Sequence, residues 1–250
     1  VLWTVQVQLG ATRFEHVPVL VHRVSVDVFR RNISPRAIGY HLRMPRVCTV
    51  PMFPLDGVFL CPGLLLPLHV FESRYRDLLE HALDGEGLIA MTHPTVGHSV
   101  QDEFDPPVHE ICGLGKIVEH ESLPDGRANI LLRGETRLRI LEELPKIKEF
   151  RMIRTEEVPD VLPSRDLTDE LAELHDSLKR LGVGGLQDLQ GLPPQQFVDS
   201  VLVGLPLSPE IKLELFSEPL VDARLRRLID NLPGRNTPDI DIGPGDPRLN

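Results

Sequence analysis

The stretch Gly113-Leu114-Gly115-Lys116 has the composition of a phosphate-binding loop and is the first candidate for chemistry in this 250-residue sequence. A Walker loop also needs glycine at position 110 and a hydroxyl side chain at position 117. This chain has Glu110 and Ile117 there, so the stretch does not qualify as a nucleotide site. The Gly-x-Ser-x-Gly and His-Glu-x-x-His patterns of hydrolases and zinc peptidases do not occur either.

Cysteine and histidine side chains form no recognisable metal or nucleophile pattern. The three cysteines, Cys48, Cys61 and Cys112, contain no Cys-x-x-Cys pair, and their odd number suits a disulfide framework poorly. The ten histidines are spread without metal-ligand spacing. His69, inside the apolar run 66–71, is interpreted as a buried imidazole hydrogen-bonded to the backbone, in preference to a catalytic group. We therefore expect no catalytic residue, no metal site and no cofactor.

The charge balance argues against nucleic acid as a partner. The chain has 27 basic and 37 acidic side chains and a formal net charge of −10. Residues 1–43 contribute +4, from six arginines and two acids, so residues 44–250 carry −14. Phosphate contacts need clustered lysine and arginine. Apolar runs also stay below the ~18 residues of a membrane span. We expect a cytoplasmic protein that binds neither nucleic acid nor membrane.

Residues 1–43 differ in composition from the rest and leave several interpretations open. Alternating valines at 24–28 and the apolar run 17–20 are compatible with strands. A secretory signal is not expected, because no apolar core of about 7–15 residues precedes a small-residue cleavage site. An Arg-rich transit peptide is a second interpretation. The interpretation we favour is an extension of doubtful structure upstream of a true start at Met44.

Residues 44–161 show the short segments, punctuated by proline and glycine, of an antiparallel, barrel-like β unit with one inserted helix. Pro67 makes the segment 64–71 an edge strand or an extended loop. Arg137 and Arg139 alternate with less polar residues, the pattern of a half-buried strand. We predict strands at 47–53, 64–71, 88–91, 112–120, 128–132, 136–140 and 150–158, with Gly134 as an interruption, and a helix at 72–83.

Residues 162–232 switch to helical periodicity. Leucines recur on one face between 167 and 181, and Gly182 ends that segment. Proline in the first turn opens further predicted helices at 195–203, after Ser208 and after Pro219. The sequence therefore predicts an α+β protein whose β unit is followed by a small helical bundle. The proline- and glycine-rich tail 233–250 is expected to be disordered.

Two segments resemble one known family. Pro51-Met52-Phe53-Pro54-Leu55, then Pro62-Gly63, then Leu66-Pro67-Leu68-His69-Val70-Phe71-Glu72-Ser73-Arg74-Tyr75 closely resemble the opening of the N-terminal domain of Lon proteases (the La, or S16, family). Gly113-Leu114-Gly115, Leu123-Pro124-Asp125-Gly126-Arg127 and Gly134-Glu135-Thr136-Arg137-Leu138-Arg139-Ile140 resemble the central hairpin of the same domain. The resemblance spans about residues 47–232.

This resemblance implies a PUA-like antiparallel pseudo-β-barrel followed by a helical subdomain, the part of Lon credited with substrate-protein recognition. The sequence as given does not contain Lon's ATPase and Ser-Lys protease modules, so we expect a stand-alone bacterial substrate-binding-domain protein that is not an enzyme. Its expected partners are unfolded client polypeptides, and a protease or chaperone. The alternatives are a divergent S16-type peptidase, an accessory factor of ATP-dependent proteolysis, or an RNA binder, since PUA-like barrels in other proteins bind RNA.

The motif residues divide into scaffold and candidate binding residues. Gly113 and Gly115 are expected to permit a close approach of strands or a bulge. A local ion pair of Glu72 with Arg74 or Arg76 is the structural interpretation of that segment. The functional hypothesis is that Phe71, Arg74 and Tyr75 line a groove between barrel and bundle that accepts unfolded polypeptide.

Overall fold

The computed structural model describes residues 3–8, 14–19, 46–95, 105–146, 148–184, 186–189 and 191–232. The chain divides into two units, Val1–Met44 and Pro45–Asn250. In the first unit, β1 (Trp3–Gln8) and β2 (Phe14–Val19) pair as an antiparallel hairpin. The alternating valines at 24–28 and the tail 233–250 lie outside the described residues.

Six strands of the second unit form one sheet in the order β4-β7-β6-β5-β3-β8. An additional pairing of β7 with β8 closes β3, β5, β6, β7 and β8 into a small barrel, and β4 remains outside it at the edge of β7. The edge position predicted from the proline in β4 is therefore confirmed. The strands are β3 (Val47–Pro54), β4 (Leu65–Val70), β5 (Leu88–Thr92), β6 (Ile111–Ser122), β7 (Ala128–Glu143) and β8 (Arg151–Val158).

One strand pair runs against the expectation of a wholly antiparallel barrel. β3 and β5 are parallel, with Met52 beside Ala90, whereas the other pairs of this sheet are antiparallel. Parallel neighbours need a long connection that returns the chain to the same end of the sheet. Here the connection contains β4 and the inserted helix α1 (Ser73–Asp84). The predicted spacing of α1 is confirmed, and its buried residues are Tyr75, Leu78, Leu79 and Ala82.

The helical part follows the predicted order. The helices are α2 (Thr168–Arg180), a short 3-10 turn (Leu186–Leu189), α3 (Pro194–Gly204), α4 (Pro209–Ser217) and α5 (Val221–Asp230). Ser208 caps α4 by accepting a hydrogen bond from the Ile211 amide. The bundle has its own apolar core, in which Leu174, Leu178, Leu202, Leu225 and Leu228 are fully buried. The subdomain limits of 44–161 and 162–232 stay a prediction.

Glycines of β6 and β7 make room for the backbone of a neighbouring segment. A Cβ atom on Gly113 would lie 2.2 Å from the Leu60 carbonyl oxygen, and one on Gly134 would lie 2.0 Å from the Cys61 carbonyl oxygen. The chain around residues 60–61 therefore lies flat against the sheet. The glycine pair that looks like a phosphate loop is explained by this close approach. The expectation that Gly134 interrupts the strand was wrong, because β7 continues through it.

Replacing Gly134 with alanine is expected to destabilise the protein by about 3 kcal/mol or more, because the new methyl group overlaps backbone that cannot rotate away. Chemical denaturation followed by circular dichroism measures the change. Gly184→Ala is the matched control, since nothing lies within 4 Å of a Cβ atom there. Equal stability of the two variants would contradict the described contact.

Candidate functional site

The three predicted binding residues lie together where β4 leads into α1. Tyr75 is 8% exposed, and its ring stacks on Phe53 with 4.1 Å between ring centroids. Burial raises the pKa of Tyr75 to about 12. Tyr75 is therefore part of the barrel core, while Phe71 and Arg74 are half-buried and keep accessible surface.

Arg74 is held in place from two sides. Its Nε donates a hydrogen bond to Glu72 Oε2 at 3.0 Å, which confirms one of the two local ion pairs expected. Its guanidinium carbon lies 4.5 Å from the centroid of the Tyr75 ring. A partly exposed ion pair contributes little stability, about 0–1 kcal/mol, so its main effect is to orient the guanidinium. That Phe71, Arg74 and Tyr75 line a polypeptide-binding groove stays a prediction.

His69 takes part in a polar ladder across three strands. Its Nδ1 lies 2.8 Å from Asn129 Oδ1, and the Asn129 amide donates to Glu121 Oε2 at 3.0 Å. Arg127 Nη1 lies 3.4 Å from His69 Nε2. The expectation of a buried imidazole bonded to backbone was wrong, because strand alternation turns His69 to the exposed face of β4.

A buried cluster of four charges joins the barrel to the bundle. Arg137 in β7 donates from Nη1 to Asp160 Oδ1 and from Nη2 to Asp199 Oδ1, both at 2.8 Å. Arg224 in α5 donates from Nη2 to the same Asp160 oxygen at 2.7 Å, and its Nη1 lies 3.3 Å from Asp199 Oδ1. Arg137 also donates from Nε to the Phe216 carbonyl oxygen at 2.8 Å. One arginine from the barrel and one from the bundle thus share the same two carboxylates.

The burial of this cluster corrects the interpretation of β7 as an ordinary half-buried strand. Arg137 is 1% exposed, and Arg224 and Asp199 are fully buried. Burial opposes the charged form of Arg137, but Asp199 and Asp160 outweigh it and raise its pKa. The alternating pattern of β7 could not show that Arg137 pairs with a residue as distant in the sequence as Asp199. The available signal was that Arg137 and Arg224 both fall within residues 47–232, the span that resembles the Lon N-terminal domain.

A buried histidine lies among aromatic rings between the same two parts. The His93 ring stacks on Phe59 with 4.2 Å between centroids and meets the Phe216 ring edge-on at 5.4 Å. His93 is 4% exposed, and neither ring nitrogen has a hydrogen-bond partner. Burial, with a smaller contribution from His109, lowers the pKa of His93 to about 4. The imidazole is therefore neutral at physiological pH and packs as an aromatic ring.

The described residues form no metal-binding cluster, and two of the cysteines are buried. Among them, no group of three or more histidine, cysteine or acidic side chains is placed to hold a metal ion. Burial raises the pKa of the Cys112 thiol to about 12 and also that of Cys61, so both are poor nucleophiles at neutral pH. No helix in the part that the structure describes has the length and apolar character needed to cross a bilayer.

The sequence matches the family model of the ATP-dependent protease La (Lon) substrate-binding domain over residues 49–233. Lon protease 2 of Desulfotalea psychrophila is 24% identical over 196 residues, which is 73% of this chain and 24% of that protein. Lon protease of Trichlorobacter lovleyi is 30% identical over 131 residues, which is 52% of this chain and 15% of that protein. The chain therefore spans less than a quarter of the length of these relatives.

Two solved structures share the fold. The N-terminal domain of Mycobacterium avium complex Lon protease superposes with a TM-score of 0.58 at 19% identity, covering 73% of this chain and 97% of that one. A Lon N-terminal domain protein from Xanthomonas campestris gives a TM-score of 0.57 at 22% identity with the same coverage. The α+β architecture predicted from the sequence is confirmed by these likenesses.

Replacing Arg137 with methionine is expected to destabilise the protein by about 3–5 kcal/mol, because Asp199 is left buried with one partner fewer. Urea denaturation measures the loss. Arg139→Met, two residues along the same strand and 45% exposed, is the control and should cost about 0–1 kcal/mol. Similar losses of unfolding free energy in both variants would show that the buried cluster contributes no more stability than an exposed ion pair.

Stability should fall in acid because of His93. Between pH 6.5 and about 4 the unfolded chain binds a proton at this residue and the folded chain does not. The contribution of His93 to the free energy of unfolding is therefore fully present above the pKa of this residue in the unfolded chain. It is lost as the pH falls through this window.

The His93→Phe variant keeps the ring and removes the proton site, so its stability should fall about 2 kcal/mol less than that of the parent between pH 7 and pH 4.5. Unfolding titrations at the two pH values measure this difference. His120→Phe, at an exposed position, serves as the control. Parallel pH profiles of the parent and His93→Phe would refute the assignment.

Proposed function

The chain belongs to the family of ATP-dependent protease La (Lon) substrate-binding domains, and we propose on this basis that it is a non-catalytic module that binds unfolded polypeptide or exposed hydrophobic segments. The observation that carries the proposal is the extent of the family match, residues 49–233, which includes both the barrel and the helical bundle. The buried charge cluster gives this combination a physical basis, because it fixes the two parts to each other.

Several features support binding without catalysis. The matched relatives align with this chain over a small part of their length, and both solved structures are N-terminal domains. Cys61 and Cys112 are buried thiols with raised pKa values, which disfavours a cysteine peptidase. The charge of −14 on residues 44–250 disfavours an RNA-binding role.

The proposed setting is the cytoplasm of a bacterial cell, where the module acts as an adaptor or chaperone-like factor. A protease or chaperone is the proposed second partner, which would receive the bound client. The candidate contact residues are Phe71 and Arg74, with Tyr75 supporting them from the core. Phe71 offers partly exposed aromatic surface and Arg74 an oriented guanidinium, the residue types that dominate binding energies at protein interfaces.

The test is fluorescence anisotropy with labelled, reduced and carboxymethylated lactalbumin as a permanently unfolded probe. We expect saturable binding to the protein, no binding of folded lactalbumin, and an intact probe on gels with or without ATP. Phe71→Ala should raise Kd about fivefold to tenfold, through loss of one aromatic contact. Leu83→Ala, a 40% exposed apolar residue in the last turn of α1, should leave Kd unchanged.

Two results would contradict the proposal. Cleavage of the probe that disappears when a single serine, cysteine or histidine is replaced would identify a peptidase instead. If the unfolded probe does not bind at protein concentrations far above the dissociation constants of typical client complexes, the proposed binding function is refuted.

A further inference from the structure

β4 has one paired side and one open side. It is the last strand of its sheet, and its hydrogen-bonded neighbour is β7, in the register Leu65 to Arg133 through Val70 to Ala128. On the other side, the described residues supply no strand. An open strand edge presents unpaired N–H and C=O groups that accept a further strand.

The register determines which backbone groups face outward. The Gly134 amide donates to the Leu64 carbonyl oxygen at 2.8 Å, so every second residue from Leu64 onwards points its backbone groups toward β7. Leu65, Pro67 and His69 therefore point theirs toward the open side. Proline at the middle position agrees with this assignment, because an edge strand tolerates proline where the N–H faces solvent. The open edge thus offers two N–H and three C=O groups.

The apolar side of this edge is also incompletely covered. Leu66 and Leu68 point into the core cluster that includes Tyr75 and Ile130, yet both remain half-buried. An added strand would place its own side chains beside these leucines and cover them. Phe71 follows directly after β4, so the residue already proposed for client contact lies at the end of the same edge.

Charge indicates which chain would occupy the edge. Arg127 and Arg133 lie on the exposed face of the sheet near the two ends of β4, and each already pairs with a neighbouring acid, Asp125 and Glu135 respectively. This face is therefore close to neutral, so a strand beside β4 would favour uncharged polar residues on it and apolar residues on the other face. A second copy of this chain is disfavoured, since two molecules of net charge −10 repel each other.

We propose that the open edge of β4 binds an extended segment of a client polypeptide as an additional strand. This inference rests on the proposed polypeptide-binding function and assigns its site. Backbone hydrogen bonds make the recognition tolerant of client sequence. Pro67 leaves a gap in the row of donors, which limits the pairing and keeps the complex reversible.

The first test uses two acetylated ten-residue peptides of alternating valine and threonine, one of which has proline in place of every second threonine. The peptide with its amides intact should bind and protect the Leu65 and His69 amides from hydrogen exchange, measured by NMR. The proline peptide should bind at least tenfold more weakly, because proline removes N–H donors from the pairing strand.

The second test changes the protein. Leu65→Pro removes one outward N–H and should weaken peptide binding about tenfold, whereas Leu65→Val keeps the N–H and should bind like the parent. Unfolding midpoints of both variants establish that they are folded. If Leu65→Pro fails to fold, amide protection in the parent protein decides the question.

The outcomes separate this inference from the proposed function. Binding of unfolded lactalbumin and of the peptide without protection at Leu65 and His69 would overturn the edge assignment and leave the function standing. Protection of both amides in the free protein, rising with its concentration, would assign the edge to a second copy and overturn the proposal. Absence of binding by both the peptide and lactalbumin would overturn the site and the function together.

Discussion

Two arginines that share two carboxylates form the contact on which the arrangement of this molecule depends. Arg137 comes from the barrel and Arg224 from the bundle, and Asp160 and Asp199 lie between them. Removing such charges from water is costly, so the group is stable only when each guanidinium keeps its partners. The cluster therefore penalises relative movement of the two parts and selects one packing of barrel on bundle.

The segment around residues 58–64 connects the packing of barrel on bundle to the proposed binding edge. Leu60 and Cys61 lie against glycines of β6 and β7, and Phe59 packs with His93 of the barrel and Phe216 of the bundle. The same segment leads directly into β4, whose start is set by the bond between Leu64 and Gly134. The position of the open edge thus follows from the same contacts that join the two parts.

Local patterns were sufficient for much of the fold. The spacing of Tyr75, Leu78, Leu79 and Ala82 correctly predicted α1, and Pro67 correctly predicted an edge strand. Features that depend on distant residues were not accessible to this reasoning. The burial of Arg137 depends on Asp199, 62 positions away, and the exposure of His69 depends on which face of β4 meets α1. His93 carries no local signal, because its burial comes from aromatic rings of two other segments.

In the proposed function, the barrel and bundle form a scaffold that offers one strand edge and its flanking residues to unfolded chains. The most direct measurement is photo-crosslinking of an unfolded polypeptide that carries a benzophenone group, followed by mass spectrometry of the crosslinked residues. We expect crosslinks concentrated in residues 65–76, which cover β4 and the first turn of α1. Crosslinks confined to the helices α2 to α5 would contradict this expectation.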